Sequence, residues 1–417
     1  MPNERASIEE ISHLALMVGR ILFQNNADTG AVEQGVQRFA TAFGCEGNLL
    51  VTYESLLMTV GLNDQFRTKT GRRIPAMNVN MAAIAAVDSL LDEIERSPLP
   101  MAEIDARLQA IEREAPVYPR WVVIVGLSLT AASLSRLFGG DWPTFFVAFG
   151  AAVVGTWVRL ELGRRRANLF LTSLVSAFVG GAVAGVGVML NLSSMPALCL
   201  ITQGMILVPG VPFVNAVRDM IQNHMTMGLA RLWLAAMATL TIAIGLFAAT
   251  VVTGAGIPVS EPSRLPSLAE DALFSATAAL GYLFLFNVPW RLAWVGVLCG
   301  VASHTTRTFC LTLGVDIVVG SLIGALAAGF IAQFFAGVFR APASAFAFPG
   351  VVAMIPGSFA FRAVLGFLAI IHAGSAAPLA LVAEAISLTA TSIFMVLAIA
   401  IGVAAPLVLF PKRAVAS

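Results

Sequence analysis

From Tyr118 to Ser417 the chain runs with only eight acidic side chains: Asp141, Glu161, Asp219, Glu261, Glu270, Asp271, Asp316 and Glu384. The remainder of its 24 Asp and Glu residues lie before Tyr118. A soluble domain carries about 25% charged residues, whereas this chain has 12%, with 58% hydrophobic. So long an acid-poor stretch needs lipid as its solvent. A bilayer core about 30 Å thick takes roughly 20 apolar residues per helix. On that measure the stretch divides into about ten spans, near 120–138, 142–161, 167–190, 195–224, 228–253, 268–288, 290–312, 314–338, 342–372 and 376–410. The expected fold is an α-helical polytopic membrane protein with a small cytoplasmic α/β domain in front. Its expected divisions are an N-terminal domain (1–118), a first transmembrane repeat (119–254), an external linker (255–267) and a second repeat (268–417).

Two short stretches nearly repeat each other. VPGVPFVNAV (Val208 to Val217) and IPGSFAFRAV (Ile355 to Val364) share Pro-Gly at the same place, Pro209-Gly210 and Pro356-Gly357, and end on the same Ala-Val. They fall in the fourth and ninth spans. The polar stretch Gly254 to Pro266 separates five spans from five. An odd number of spans per half starts the second half on the opposite side of the membrane, the inverted-repeat arrangement of many secondary transporters. A mid-membrane proline frees backbone groups that lipid cannot satisfy, so it is tolerated only where protein or water covers it. A helix restarting there presents free N–H groups and a positive dipole end, a natural seat for a carboxylate.

The expected substrate site therefore comprises Pro209, Gly210, Pro356 and Gly357, with Thr202 and Gln203 before the first break, Asn215 and Arg218 after it, and Ser358 and Arg362 after the second. The plainer alternatives are proline kinks, an Arg362 that snorkels to the interface, and an Arg218 that pairs with Asp219 or caps its helix. Glu384 is an isolated acid deep in the last span. Burial favours the neutral form of such a carboxyl, which suits a proton carrier. It would equally suit a protonated acid bonded to a neighbouring helix. His304 and Arg307, beside Thr305, Thr306 and Thr308, fit either a polar exit path or interface chemistry.

The polar segment shows two helical stripes, Ile8, Ile11, Ala15, Val18, Leu22 and Val32, Val36, Phe39, Phe43, the second ending at Gly44. Short strands follow from Asn48 to Arg73, with turns expected at Asn63-Asp64 and at Gly71. Helices return over 81–96 and 102–114. Asp28, Thr29 and Glu33 are the N-domain candidates, and Asp28 or Thr29 would also serve simply as a helix cap. No Ser/His/Asp set and no phosphate-binding loop is legible, so neither an ATP-driven pump nor an enzyme is expected. The four cysteines lack metal-ligand spacing. No cofactor, metal or nucleic acid is implied. MPNERASIEE contains no early apolar core, which predicts that the polar segment stays in the cytoplasm. That orientation puts Arg120, Arg159, Arg164, Arg165, Arg166, Arg218, Arg231, Arg291, Arg340, Lys412 and Arg413 on the cytoplasmic side. Both termini are then cytoplasmic in a multi-pass plasma (inner) membrane protein, and the loop with Glu261, Glu270 and Asp271 is external.

Three motifs together resemble the threonine/serine exporter family. They are an A-[DE]-T-x-x-V-E run with a following Arg and Gly (Ala27, Asp28, Thr29, Val32, Glu33, Arg38, Gly44), VPGVPFVNAVRD (Val208 to Asp219), and FPGVVAMIPGSFAFRA (Phe348 to Ala363). Asn26 and Ala31 depart from the Gly and Arg common in that family. The resemblance implies ten spans behind a cytoplasmic-type domain, with two halves that are separate proteins in some bacteria and fused here. It implies proton-motive-force-driven export of threonine or serine, with succinate linked to the split form. The partners expected are a small amino-acid or dicarboxylate substrate, protons and membrane lipid. A channel with a regulatory or hydrolase-like N-domain is the contrasting reading. Small residues allow close helix contact within or between chains, which leaves a homo-oligomer open.

Overall fold

The computed structural model describes residues 7–62, 65–72, 78–97, 99–113, 117–255, 264–339 and 341–409. The Asn63-Asp64 turn, Glu261 with most of the linker, and Arg340, Lys412 and Arg413 lie outside the described residues.

The N-terminal domain is α1 (Ile8–Gln24), α2 (Thr29–Ala42), a sheet of β1 (Glu46–Val51), β2 (Ser55–Leu62) and β3 (Gln65–Arg72), then α3 (Met81–Arg96) and α4 (Met101–Arg113). A capping box of Ser7 and Glu10 starts α1. Ile11, Ala15, Val18 and Leu22 of its stripe are buried, as are Val32, Val36 and Phe39 of α2. Gly44, at φ +72°, turns the chain out of α2. The strands are antiparallel in the order β1-β2-β3. Gly71 is not a turn: it lies inside β3 opposite Leu56, where a Cβ would meet Leu16 of α1 at 3.5 Å. Arg38 answers the poor five-residue spacing to Glu33 by turning to α3. It makes ion pairs of 2.6 Å with each of Asp88, Asp92 and Glu95. Burial alone would lower its pKa, but these three carboxylates outweigh that and raise it.

The membrane portion is α5 (Arg120–Leu137), α6 (Trp142–Arg164), α7 (Leu169–Met189), α8 (Pro196–Met205), α9 (Gly210–Ile221) and α10 (Met225–Thr253), followed by α11 (Leu268–Leu285), α12 (Trp290–Thr312), α13 (Ile317–Phe339), α14 (Ser344–Val352), α15 (Gly357–Ala373) and α16 (Leu379–Leu409). The starts repeat at a fixed step of 148 residues: 120 and 268, 142 and 290, 169 and 317, 196 and 344. Packing partners recur as well. α5–α6, α6–α7, α7–α10 and α9–α10 in the first half match α11–α12, α12–α13, α13–α16 and α15–α16 in the second.

Among the described residues, eight helices are long and apolar enough to cross a membrane, or nine if the bent pair α8–α9 is one span. The helix missing from the expected ten is α12. Its run Ser303 to Thr308 contains a histidine, an arginine and three threonines, which dilutes its hydropathy.

α5 and α11 join the halves. Their backbones meet at Gly126 and Gly281, where a Cβ on Gly126 would lie 3.3 Å from Gly281 Cα. Thr130 Oγ1 donates to Ala278 O (3.0 Å), and Ser133 and Thr277 hydroxyls share a 2.6 Å bond. Small residues permit such close approach without a hydrophobic drive between helices. A methyl group on Gly281 would overlap Gly126 O and Thr130 Oγ1. Backbone cannot swing aside, so Gly281→Ala is expected to cost about 1–3 kcal/mol. A lowered melting temperature of the purified protein in lipid nanodiscs would register that loss.

Candidate functional site

Both breaks are built alike. Gly210 N donates to Val208 O (2.8 Å) across Pro209, and Gly357 N donates to Ile355 O (2.7 Å) across Pro356. Pro209 sits at φ −76°, ψ 68° and Pro356 at φ −75°, ψ 48°. These are inverse γ-turns, for which proline's fixed φ is well suited. α8 and α9 bend by 58° at the first. The glycines serve a different need, because the two breaks lie against each other. A Cβ on Gly210 would stand 2.5 Å from Ile355 Cδ1, and one on Gly357 would stand 3.1 Å from Val208 Cγ2 and 3.4 Å from Met205 Cα.

Around this crossing the sequence-predicted residues fall into separate groups. Thr202 donates to Cys199 O (3.2 Å), and Gln203 Nε2 donates to Ala148 O of α6 (3.2 Å). Ser358 is buried in the first turn of α15. Arg362 pairs with Glu384 at 3.3 Å, so Glu384 is not the isolated acid expected from sequence. Arg362 on α15 and Glu384 on α16 lie 22 residues apart in the chain, which hid a contact between helices.

Asn215 and Arg218 reach the N-domain. Four consecutive residues at the α1–α2 corner each meet the membrane portion. Asn26 O accepts from Asn215 Nδ2 (2.8 Å), and Ala27 O accepts from Arg231 Nη2 (2.7 Å). Asp28 Oδ2 pairs with Arg218 (3.1 Å), and Thr29 N donates to Asp219 Oδ1 (2.8 Å). Asn26 holds this corner at φ +69°, a conformation asparagine tolerates. Asp28 also caps α2, accepting from Ala31 N with its other oxygen. Arg218 and Asp219 do not pair with each other: Asp219 lies 3.3 Å from Arg231 Nε. Glu33 faces His224 at 3.6 Å at the rim. Burial pushes the Glu33 carboxyl up, His224 opposes that, and Asp219 adds to it.

The N-domain has a second hold, on the other half. Phe286 O and Asn287 O, past the end of α11, accept from Met81 N and Ala82 N at the start of α3 (2.9 and 3.1 Å). Unpaired donors of one helix thus meet unpaired acceptors of another. Asn287 Nδ2 donates to Asn80 Oδ1 (2.7 Å) and completes the joint.

Sequence reasoning singled out His304 and Arg307 with their threonines, but it missed Asp271 as their partner and Arg159 beside the first break. Arg159 Nη1 of α6 donates to Ile206 O, just before the first break (3.4 Å). Asp271, expected in a loop, is buried in the first turn of α11 and bonds His304 of α12 at 2.7 Å. The readable signal was the spacing of His304, Arg307 and Thr308, which puts all three on one helix face.

An apolar helical body with paired internal breaks and buried ion pairs defines a membrane transport protein rather than an enzyme. Residues 13–253 match the family described as "Putative threonine/serine exporter", and residues 271–409 match "Threonine/Serine exporter, ThrE". The chain belongs to the threonine/serine exporter family, whose members are transporters. It is 27% identical to a "Probable succinate transporter subunit YjjP" of Klebsiella aerogenes over 61% of this chain and 98% of that protein. Its Escherichia coli counterpart is 26% identical over 58% and 95%. A "Probable threonine/serine exporter" of Mycobacterium tuberculosis is 24% identical over 86% of this chain and 70% of that protein. No solved structure matches the chain.

Removing one member of a buried ion pair strands the other, at about 3–5 kcal/mol. Arg231→Met is therefore expected to destabilise the N-domain seam by that order, and adding Asp219→Leu to recover a good part of it. Thermal unfolding of the single and double variants measures the difference.

Proposed function

We propose that the protein is a secondary exporter of small carboxylate-bearing metabolites, with threonine and serine as first substrates and the proton motive force as drive. The observation that carries this reading is the pair of proline breaks packed against each other. Each opens a helix N-terminus, of α9 and of α15, inside the apolar body. Such ends attract a carboxylate. Thr202 and Gln203 lie in α8 ahead of the first break, Ser358 follows the second directly, and Arg362 lies one turn beyond Ser358. A substrate carboxylate competes with Glu384 for Arg362, and the displaced Glu384 takes up the proton that accompanies transport.

The two halves act as inverted five-helix repeats that expose the crossing alternately to each side. The 148-residue step and the recurring packing pairs support that reading. The N-domain (1–118) lies in the cytoplasm, with both termini, beneath a plasma (inner) membrane. The basic residues near 159–166, 218–231 and 291 support this orientation. On the inward path Asn215 and Arg218 become available to substrate when Asn26 and Asp28 withdraw, which gives Asp28, Thr29 and Glu33 the role of a cover.

A dicarboxylate such as succinate is the second reading. Arg159, beside the carbonyl of the first break, supplies the second guanidinium that a second carboxylate would need. The likeness to relatives named as succinate transporter subunits points the same way.

Inside-out proteoliposomes with labelled threonine and succinate, with and without an imposed pH gradient, separate these readings. Gradient-driven threonine accumulation is expected. Glu384→Gln removes a charge-assisted contact worth about 1.5–3 kcal/mol, so accumulation should fall about tenfold or more. Succinate accumulation without threonine transfers the assignment to dicarboxylates. Accumulation of neither by correctly inserted protein sinks both.

A further inference from the structure

Asp271, His304 and Arg307 are all buried on α11 and α12, whereas Arg362 and Glu384 lie on α15 and α16. His304 Nδ1 lies 2.7 Å from Asp271 Oδ2, and His304 Nε2 lies 2.6 Å from Arg307 Nη2. Thr305 and Thr308 hydroxyls donate to the two oxygens of Asp271 (3.2 and 2.6 Å). A guanidinium has donors and no acceptor. Arg307 must therefore donate to Nε2, and the single proton of the neutral imidazole sits on Nδ1, given to Asp271. The chain of donation runs Arg307 to His304 to Asp271.

Among the described residues, α11 adds Glu270 and Tyr282 to the surroundings of this line, and Arg264 acts on Glu270. α13 and α14, which pack on α12, contain no charged residue. Asp316, ahead of α13, caps that helix through Val318 N. α5 brings Arg136 to the start of α11, where it pairs with Glu270. The remaining titratable groups on α12 are the thiols of Cys299 and Cys310, and Arg291 at its start. The cluster thus balances one carboxylate against one guanidinium around a neutral imidazole.

A second proton on His304 can bind only at Nε2, the atom that accepts from Arg307. An imidazolium has no acceptor left, so the Arg307 bond must break. Arg307 Nε already lacks a hydrogen-bond partner among the described residues. The first half shows where an arginine at this position goes when no histidine holds it. Arg159 lies 148 residues before Arg307, with Thr156 in the place of His304, and it donates to Ile206 O beside the break.

We propose that Asp271, His304 and Arg307 form a proton-binding site separate from Glu384, and that proton uptake at His304 Nε2 releases Arg307. Its part in transport rests on the proton-driven reading above, whereas proton binding itself does not.

The test is nitrogen-15 NMR of the full chain in lipid bilayers with its 4 histidines labelled at the ring nitrogens. The His304 signal is identified by its loss in His304→Gln. It should show Nδ1 protonated at pH 8 and convert once to imidazolium as pH falls. Thr308→Val removes a donor to Asp271, leaving more of the carboxylate charge to the imidazole. The conversion should then move up by about half a pH unit to one unit. A His304 protonated on Nε2 when neutral, one still neutral near pH 4, or a midpoint unmoved by Thr308→Val overturns the site. In proteoliposomes, gradient-driven accumulation by His304→Gln should fall about tenfold; accumulation equal to that of the unsubstituted protein removes the site from transport. If the unsubstituted protein ignores the gradient, the proposed drive fails instead, and the NMR titration still decides whether the site binds a proton.

Discussion

Lipid cannot hydrogen-bond to a peptide group, and the placement of the two prolines follows from that. A helix interrupted in the apolar body leaves donors and acceptors that protein must cover. Each break limits the damage with a γ-turn of its own, through Gly210 N and Gly357 N. Each is then shielded by the other: Gly210 fits under Ile355, and Gly357 fits under Val208 and Met205. Neither interruption would be covered in this way without its counterpart. The duplicated element is thus a physical requirement as well as a repeat.

Around that crossing the halves share a plan and differ in charge. The step between element starts is constant through four helices, and α5 and α11 meet glycine to glycine. The polar side chains do not follow the repeat. The first half places Asn215, Arg218, Asp219 and Arg231 against the N-domain corner, where they pair with a separate domain. In the second half Arg362 pairs with Glu384 and Asp271 with His304, while Glu270 pairs across the halves with Arg136 of α5. A common scaffold thus carries two different sets of ionic contacts.

Local chemistry was readable from the sequence. The breaks, most helix boundaries, the N-domain helices and the cap at Asp28 follow from proline geometry, hydropathy and periodicity, which are properties of neighbours along the chain. Pairing between distant residues was not. Glu384 reads as isolated because Arg362 is on another helix. Asp271 reads as a loop acid because its partner His304 is a helix away. The Arg218-Asp219 adjacency suggests a local pair, but adjacent helical residues point in different directions, and each found a partner elsewhere. Gly71 suggested a turn because glycine is common there, whereas it lies inside β3 opposite Leu56.

The N-domain touches both halves: the Asn26 to Thr29 corner on α9 and α10, and the start of α3 on the end of α11. A polypeptide of this design severed between α10 and α11 would carry the whole domain on its first piece and one of the domain's two docking surfaces on its second. The joint between Asn80, Met81, Ala82 and Phe286, Asn287 would then become a recognition surface between separate gene products. Built largely from backbone groups, it would tolerate wide sequence drift in either piece while still selecting the correct mate by shape.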